Sequence, residues 1–260
     1  MFEFHADRER YFEIQVMNAR DYVIPFIEER YTIPTNARVL EIGSGEGGVL
    51  KAFIEKGCTG VGVELDLPRV ENAKKFLATE LEKGLVHFVD KDIYKVDTDA
   101  ELKGRFDIII LKDVIEHIHD QTKLITWMKQ LLNPGGVIFF GFPPWQMPFG
   151  GHQQICKSTI SKLPYIHLLP RLIYRWILTK NNEPVADLME IRDTQISIER
   201  FESICRNENY RILHKRHYLL NPIYQWKFGW KPIRQSAIIS ALPWFRNFLT
   251  TCVYYLIQSK

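Results

Sequence analysis

The sequence predicts an α/β fold, a mostly parallel sheet with helices on both faces, and three observations predict it. Val39-Leu40-Glu41-Ile42 is an apolar strand that breaks into Gly43-Ser44-Gly45-Glu46-Gly47-Gly48, and a helix-like run (Val49, Leu50, Phe53, Ile54) follows at once. Strand-like and helix-like segments then alternate as far as Gly141, the pattern of βαβ units. Phe106-Asp107-Ile108-Ile109-Ile110-Leu111 is almost continuously apolar, as a central strand covered on both sides must be.

Ahead of this core, residues 11–29 read as a helix with apolar positions at Tyr11, Ile14, Met17, Tyr22 and Phe26. Strands are expected at 38–42, 60–64, 85–89, 106–111 and 136–142, with helices at 48–56, 68–83 and 120–131. Asn133-Pro134-Gly135-Gly136 stops a helix and turns the chain into the next strand. Residues 143–195 interrupt the alternation with prolines, glycines and aromatics, which reads as an insertion over the carboxyl edge of the sheet. After it come a helix at 196–205, strands at 211–219 and 236–241, and a final helix at 244–257. One domain, residues 1–260, is expected. It divides into an N-terminal helical cap (1–35), a core (36–142), an inserted lid (143–195) and a C-terminal part of the sheet with its terminal helix (196–260).

The chain has 260 residues, 46% of them hydrophobic, enough for a sizeable core. Its charged start lacks the apolar run of a secretory signal, and no stretch is apolar enough for a membrane span. Four scattered cysteines (Cys58, Cys156, Cys205, Cys252) lack metal-ligand spacing and read as reduced, buried thiols. A cytoplasmic location follows as the expectation. Charge is uneven: residues 1–150 carry −6 and residues 151–260 carry +9. A basic, aromatic-rich second half suits an anionic substrate, a membrane surface or nucleic acid, or is simply a solvated basic face. The apolar stretch 245–257 reads either as a helix docked on the core or as one lying on a membrane surface, making the protein membrane-peripheral.

The glycine turn permits close approach of a ligand to the main chain, and the helix behind it points free N–H groups back into the turn. A dinucleotide site would place pyrophosphate there. Glu41 just before the glycines and Glu46 inside the turn are poorly placed for phosphate and favour a cation. On these residues the chain resembles the class I S-adenosylmethionine-dependent methyltransferases, whose E/D-x-G-x-G-x-G loop Glu41–Gly47 matches. The resemblance continues in order over residues 36–142. Val61-Gly62-Val63-Glu64 is similar to a second strand ending in the acid that holds the ribose hydroxyls. Phe88-Val89-Asp90-Lys91-Asp92-Ile93 resembles the adenine end, with Asp92 accepting from the amino group and Ile93 lining the ring. Lys112-Asp113-Val114-Ile115-Glu116-His117 resembles the motif after strand four in small-molecule members, among them quinone and phenol O-methyltransferases.

The resemblance implies a Rossmann-like class I methyltransferase fold, a seven-stranded mixed sheet, S-adenosyl-L-methionine as cofactor and a small-molecule acceptor, methylated at oxygen. It implies a cofactor site of Glu41, Gly43, Ser44, Gly45, Gly47, Glu64, Leu65, Asp92, Ile93 and Lys112. His152 and His117 are the candidate general bases, each also readable as a merely structural histidine. Asp113 and Glu116 have capping-box spacing. A metal shared by Asp113, Glu116 and His117 is not expected, because adjacent helical residues point about 100° apart. Tyr11 and Gln15 either close over the cofactor or only pack. Phe142-Pro143-Pro144-Trp145 carries Phe where a base-flipping methyltransferase needs an amine acceptor, so nucleic acid is not the expected partner. Two rival readings stand beside this one: an NAD(P)-dependent oxidoreductase on a similar fold, and a non-catalytic cofactor-binding or membrane-associated accessory protein.

Overall fold

The computed structural model describes residues 7–260; the first six residues of the charged start lie outside it. Helix α1 (Arg8–Asn18) is capped by Asp7, whose side chain accepts from the Arg10 amide. A π-helical turn at Ala19–Val23 follows, then α2 (Ile24–Glu28). Pro25 supplies no N–H, so the ladder slips by one residue just before it. The core then runs β1 (Arg38–Ile42), α3 (Gly48–Glu55), β2 (Thr59–Val63), α4 (Leu67–Phe76), α5 (Ala78–Glu82), β3 (Val86–Val89), β4 (Phe106–Lys112), α6 (Gln121–Met128) and β5 (Leu132–Phe142). The helix expected at 68–83 is two helices, because Leu77 leaves helical geometry at φ −109° and ψ 28°.

The insertion holds α7 (Arg171–Lys180) and α8 (Val185–Thr194). Beyond it come α9 (Ile198–Asn207), β6 (Tyr210–Leu220), α10 (Tyr224–Phe228), β7 (Ile233–Arg234), α11 (Ala237–Ser240) and β8 (Cys252–Ser259). The sheet order is β3-β2-β1-β4-β5-β8-β6-β7. β1 to β5 are parallel, and β8 runs antiparallel between β5 and β6. The sheet thus has eight strands where seven were expected, the extra one being the two-residue β7 on the edge.

Two expectations at the C-terminus are overturned. Residues 236–241 are not a strand; Ser236 caps the short α11 by accepting from the Ile239 amide at 3.2 Å. Residues 244–257 are not a helix but a 3₁₀ turn (Phe245–Leu249) followed by β8. A strand buried on both faces needs no alternation, so its continuous apolar run imitates a helix. Cys252-Val253-Tyr254-Tyr255-Leu256-Ile257 is β-branched and aromatic and wholly buried in the sheet. A membrane-lying terminal helix is therefore ruled out.

Alternation splits each strand between two cores. In β4, Ile109 and Leu111 face a cluster with α6 and α9, whereas Ile108 and Ile110 face α2 and α3. All four cysteines are buried and unpaired. No helix among the described residues is long and apolar enough to cross a membrane.

The insertion has a small core of its own (Cys156, Ile166, Tyr174, Leu178, Leu188, Met189). Beside it the fully buried His167 binds the Trp145 carbonyl through Nε2 (2.8 Å) and meets the Gln153 amide nitrogen through Nδ1 (3.0 Å). The first bond needs a donor and the second an acceptor, so the neutral ring is the form that fits. Burial pushes its pKa down to about 4. The folded pKa lies below the ordinary value, so its stabilisation is complete above about pH 6.5 and is lost as pH falls towards 4. For His167 alone the loss should reach about 3 kcal/mol at pH 4. Urea unfolding between pH 7 and pH 4 checks this, and His167→Gln should flatten the profile; an unchanged slope would refute the assignment.

Candidate active site

The site stands at the carboxyl ends of the parallel strands, where an open α/β sheet binds its ligands. After β1 the chain bends towards β2, with the Gly43 and Ser44 amides both donating to the Val63 carbonyl at 2.8 and 3.2 Å. Gly43 has φ +70°, and a Cβ there would stand 2.4 Å from the Val114 side chain, so only glycine fits. Gly48 opens α3 directly beneath α1, where a Cβ would meet the Phe12 carbonyl at 2.6 Å. The N-terminal helix thus closes over the loop. Tyr11 and Gln15 line a cavity of about 80 Å³ together with Glu41, Gly43, Ser44, Gly45, Glu46 and Lys112.

Glu41 is buried, and its Oε2 has no hydrogen-bond partner among the described residues. Burial raises its pKa well above the ordinary value, against the pull of the Lys112 ammonium. An amino group in this cavity would supply the missing donor, and a sulfonium a counter-charge. Glu46 is already matched, since Arg8 Nη1 lies 3.1 Å from its carboxylate.

Glu64 lies at the end of β2, where Oε2 accepts from the Gly45 amide (2.8 Å) and Oε1 from the Leu65 and Asp66 amides (2.8 and 3.0 Å). This carboxylate holds the glycine loop in place. Asp92 accepts from the Tyr94 amide at 3.0 Å and caps a 3₁₀ turn (Ile93–Lys95) that buries Ile93. Leu65 is exposed. Glu64, Leu65, Asp92 and Ile93 stand at neighbouring strand ends, outside the small cavity.

Lys112 ends β4 in full burial and pairs with the Asp113 carboxylate. Burial opposes the charge of both, but each favours the other's, and Asp113 stays below the usual carboxylate range. Asp113 has φ +57°, as His152 has φ +54°. Left-handed backbone at a non-glycine residue is a strain that folds retain at working sites. The next residues form a 3₁₀ turn, Ile115–His117, rather than the start of an α-helix. The Gln121 amide ties this turn to the Thr194 carbonyl (3.2 Å), and the Thr194 hydroxyl donates to the Glu116 carbonyl, so the insertion is fastened to the motif.

His152, from the insertion, stacks on His117 with ring centres 5.2 Å apart and planes 12° apart. Glu116 is buried, with neither carboxylate oxygen hydrogen-bonded among the described residues. Burial, and then the Asp113 charge, push its pKa well up. Burial and the neighbouring His117 bring His152 down to about 4, so its ring is neutral at pH 7. Ligand atoms of Glu116, His117 and His152 all lie within 4.8 Å of one another, a set able to hold a divalent cation.

These three residues form one wall of a second cavity, about 600 Å³, closed by the insertion through Met147, Leu188 and Ile191. Tyr11, Arg69 and Asp113 line both cavities and mark where they join. Arg69 and Lys227 were not singled out as site residues from the sequence. Lys227 comes from the distant α10, its ammonium 5.2 Å from the Tyr11 ring, and burial lowers its pKa to about 8.

A methyltransferase-domain family model matches residues 16–157, more than half of the chain. The chain belongs to this family. Among relatives, it is 29% identical over 117 residues to the ubiquinone biosynthesis O-methyltransferase of Coxiella burnetii (strain RSA 493 / Nine Mile phase I), covering 45% of this chain and 47% of that one. To an uncharacterized methyltransferase of Mycobacterium sp. (strain KMS) it is 31% identical over 122 residues, 47% of this chain and 45% of the other. The chain spans about half the length of these relatives. The fold is similar to that of magnesium protoporphyrin IX methyltransferase from Synechocystis PCC 6803, solved with S-adenosylhomocysteine (SAH): TM-score 0.55, 13% identity, 95% of this chain and 84% of that one. A methyltransferase from Clostridium acetobutylicum ATCC 824 gives TM-score 0.57 at 12% identity, over 94% and 92% of the two chains. The mixed sheet of this methyltransferase-family chain is therefore the class I methyltransferase fold expected from its motifs.

Proposed function

We propose that this methyltransferase-family protein transfers a methyl group from S-adenosylmethionine to an oxygen atom of a small organic acceptor. The observation that carries the reading is the meeting of the two cavities at Tyr11, Arg69 and Asp113. One side offers a glycine loop and an unpartnered carboxylate, Glu41, suited to a cationic ligand; the other is large, closed by the insertion and faced by two imidazoles. When bound, the cofactor supplies an electrophilic sulfonium methyl. The chain's own contribution is alignment and exclusion of water. Glu41 meets the ligand's cation, Glu64 the ribose hydroxyls and Asp92 the adenine amine. His152, held against His117, accepts the acceptor's hydroxyl proton, and the Lys227 ammonium steadies the oxygen as it loses that proton. An oxygen acceptor also agrees with the names of the O-methyltransferase relatives.

A second reading of the same wall has the Glu116, His117 and His152 set hold a divalent cation that binds the acceptor oxygen. Neutral imidazoles suit either task. Titration calorimetry should show binding of S-adenosylmethionine and none of NAD, and radiolabelled methyl should appear on phenolic or quinol compounds. Binding of NAD alone would overturn the proposal in favour of an oxidoreductase; binding without transfer to any acceptor pool would leave only an accessory protein.

A further inference from the structure

The insertion turns a second, unused face outwards. On α7, Tyr174 and Leu178 point into the insertion's own core, while Leu172, Ile173 and Trp176 are exposed on the opposite side, Leu172 at 80% and Trp176 at 60%. Positions 172, 173 and 176 share one helical face. Ile160 and Leu163, in the loop before α7, are about half exposed as well. A side-chain patch this apolar is unusual on a water-facing surface.

A second segment with exposed apolar side chains is fastened to the insertion. The Tyr165 hydroxyl donates to the Phe248 carbonyl at 3.0 Å, and the two rings approach to 6.4 Å. This joins the insertion to the C-terminal segment, where Ile238 (77%) and Trp244 (63%) are also exposed. The charges on these segments are of one sign. Residues 151–182 hold five Lys and Arg and no acid; residues 209–260 hold eight and no acid. The acids of the second half all fall between, in residues 183–208. Several are matched, Asp193 by Arg171 and Glu199 and Glu202 by Arg246, which leaves Lys157, Lys162, Arg175 and Lys180 on the insertion and Lys231 and Arg234 before α11 as exposed cations without an ion pair among the described residues.

We infer that the insertion and the 238–248 segment form one docking surface for an anionic lipid bilayer. Branched aliphatic side chains and tryptophans enter the headgroup and acyl boundary, and the surrounding cations meet anionic headgroups. Nucleic acid shares the charge but has no use for exposed leucine and isoleucine, which cannot stack on bases. The surface also lies on the insertion that closes the larger cavity, with Ile155 both exposed and lining that cavity. Docking would therefore set the acceptor cavity beside the bilayer. The inference stands apart from methyl transfer, since vesicle binding requires neither cofactor nor acceptor.

The full chain should sediment with vesicles of one third phosphatidylglycerol in phosphatidylcholine at least tenfold better than with phosphatidylcholine alone, and raised salt should weaken binding. Leu172→Glu with Trp176→Glu should lower vesicle binding at least tenfold and leave the melting temperature unchanged, because both side chains are exposed. Ile238→Glu with Trp244→Glu, on the second segment, should act in the same direction. Equal binding to neutral vesicles, unaltered binding by both variants, or retention by single-stranded RNA but not by vesicles would each overturn the inference. So would concentration-dependent dimerisation abolished by the same substitutions.

Discussion

Replacing His152 by alanine should lower methyl transfer by about 10²–10⁴-fold, the usual contribution of a positioned proton acceptor, and leave S-adenosylmethionine affinity unchanged. His152 comes from the insertion and lines only the larger cavity, so its loss should not reach the cofactor cavity. The sign of the pH dependence follows from its environment. Burial and the stacked His117 hold its pKa near 4, so the accepting form is fully present at neutral pH and is lost only in acid. The rate should be flat around pH 7 and fall on the acid side, and His152→Ala should erase that limb. A chelator separates the two readings of the site. Activity that survives EDTA assigns the proton to His152; activity that collapses and returns with added divalent metal assigns the wall to a cation, and Glu116→Gln should then be as damaging as His152→Ala. A His152→Ala enzyme with unaltered turnover and pH profile would refute both.

The core of the sheet was readable because each strand obeys a local rule. The apolar stretch at 106–111 could only be a central strand, and the glycine turn after β1 could only end one. The C-terminus was not readable for the opposite reason. Whether Cys252–Ser259 becomes strand or helix is decided by the open slot between β5 and β6, and that slot is bordered by residues more than a hundred positions earlier in the chain and about forty earlier. Tertiary pairing settles an ambiguous apolar run that propensity cannot.

The candidate site divides in the same way. Glu41 is the last residue but one of β1, and Gly43, Gly45, Glu64 and Asp92 stand within three residues of strand ends, so short local spacing places them all at one edge of the sheet. The acceptor side is assembled across the chain: Arg69 from α4, His152 from the insertion, Lys227 from α10. No spacing rule relates such residues. The Glu116-His117 pair reads from the sequence as part of an α-helix and lies instead in a 3₁₀ turn, where neighbouring side chains diverge at least as far. What sequence spacing could not supply is the third member: His152 crosses from the insertion to stack on His117, and Glu116 comes within ligand reach of both. A local signal existed in the lone His152 beside two glycines, and it was enough to name the residue but not its partners.

Glu64→Ala and Asp92→Ala should each weaken S-adenosylmethionine binding by about 1–3 kcal/mol, a factor of about 5–150, and Glu64 should be the more costly. Its two oxygens already hold the Gly45, Leu65 and Asp66 amides. Oε1 accepts two of these amides and Oε2 one, so Oε2 keeps a lone pair with which the same group can hold the loop and still accept from a ribose hydroxyl. Alanine removes both functions, leaving the loop's amides unpartnered as well as the ligand. Glu64→Gln keeps one acceptor and should lose less. Among the described residues the Asp92 side chain anchors only the Tyr94 amide, so its alanine variant should leave the glycine loop intact and affect the adenine end alone. Calorimetry with fragments separates these roles: adenosine should bind more weakly to both variants, whereas methionine, which would meet Glu41, should be indifferent to Asp92→Ala. Unchanged cofactor affinity in both variants would place the ligand away from the ends of β2 and β3, and with it the whole assignment of the glycine loop.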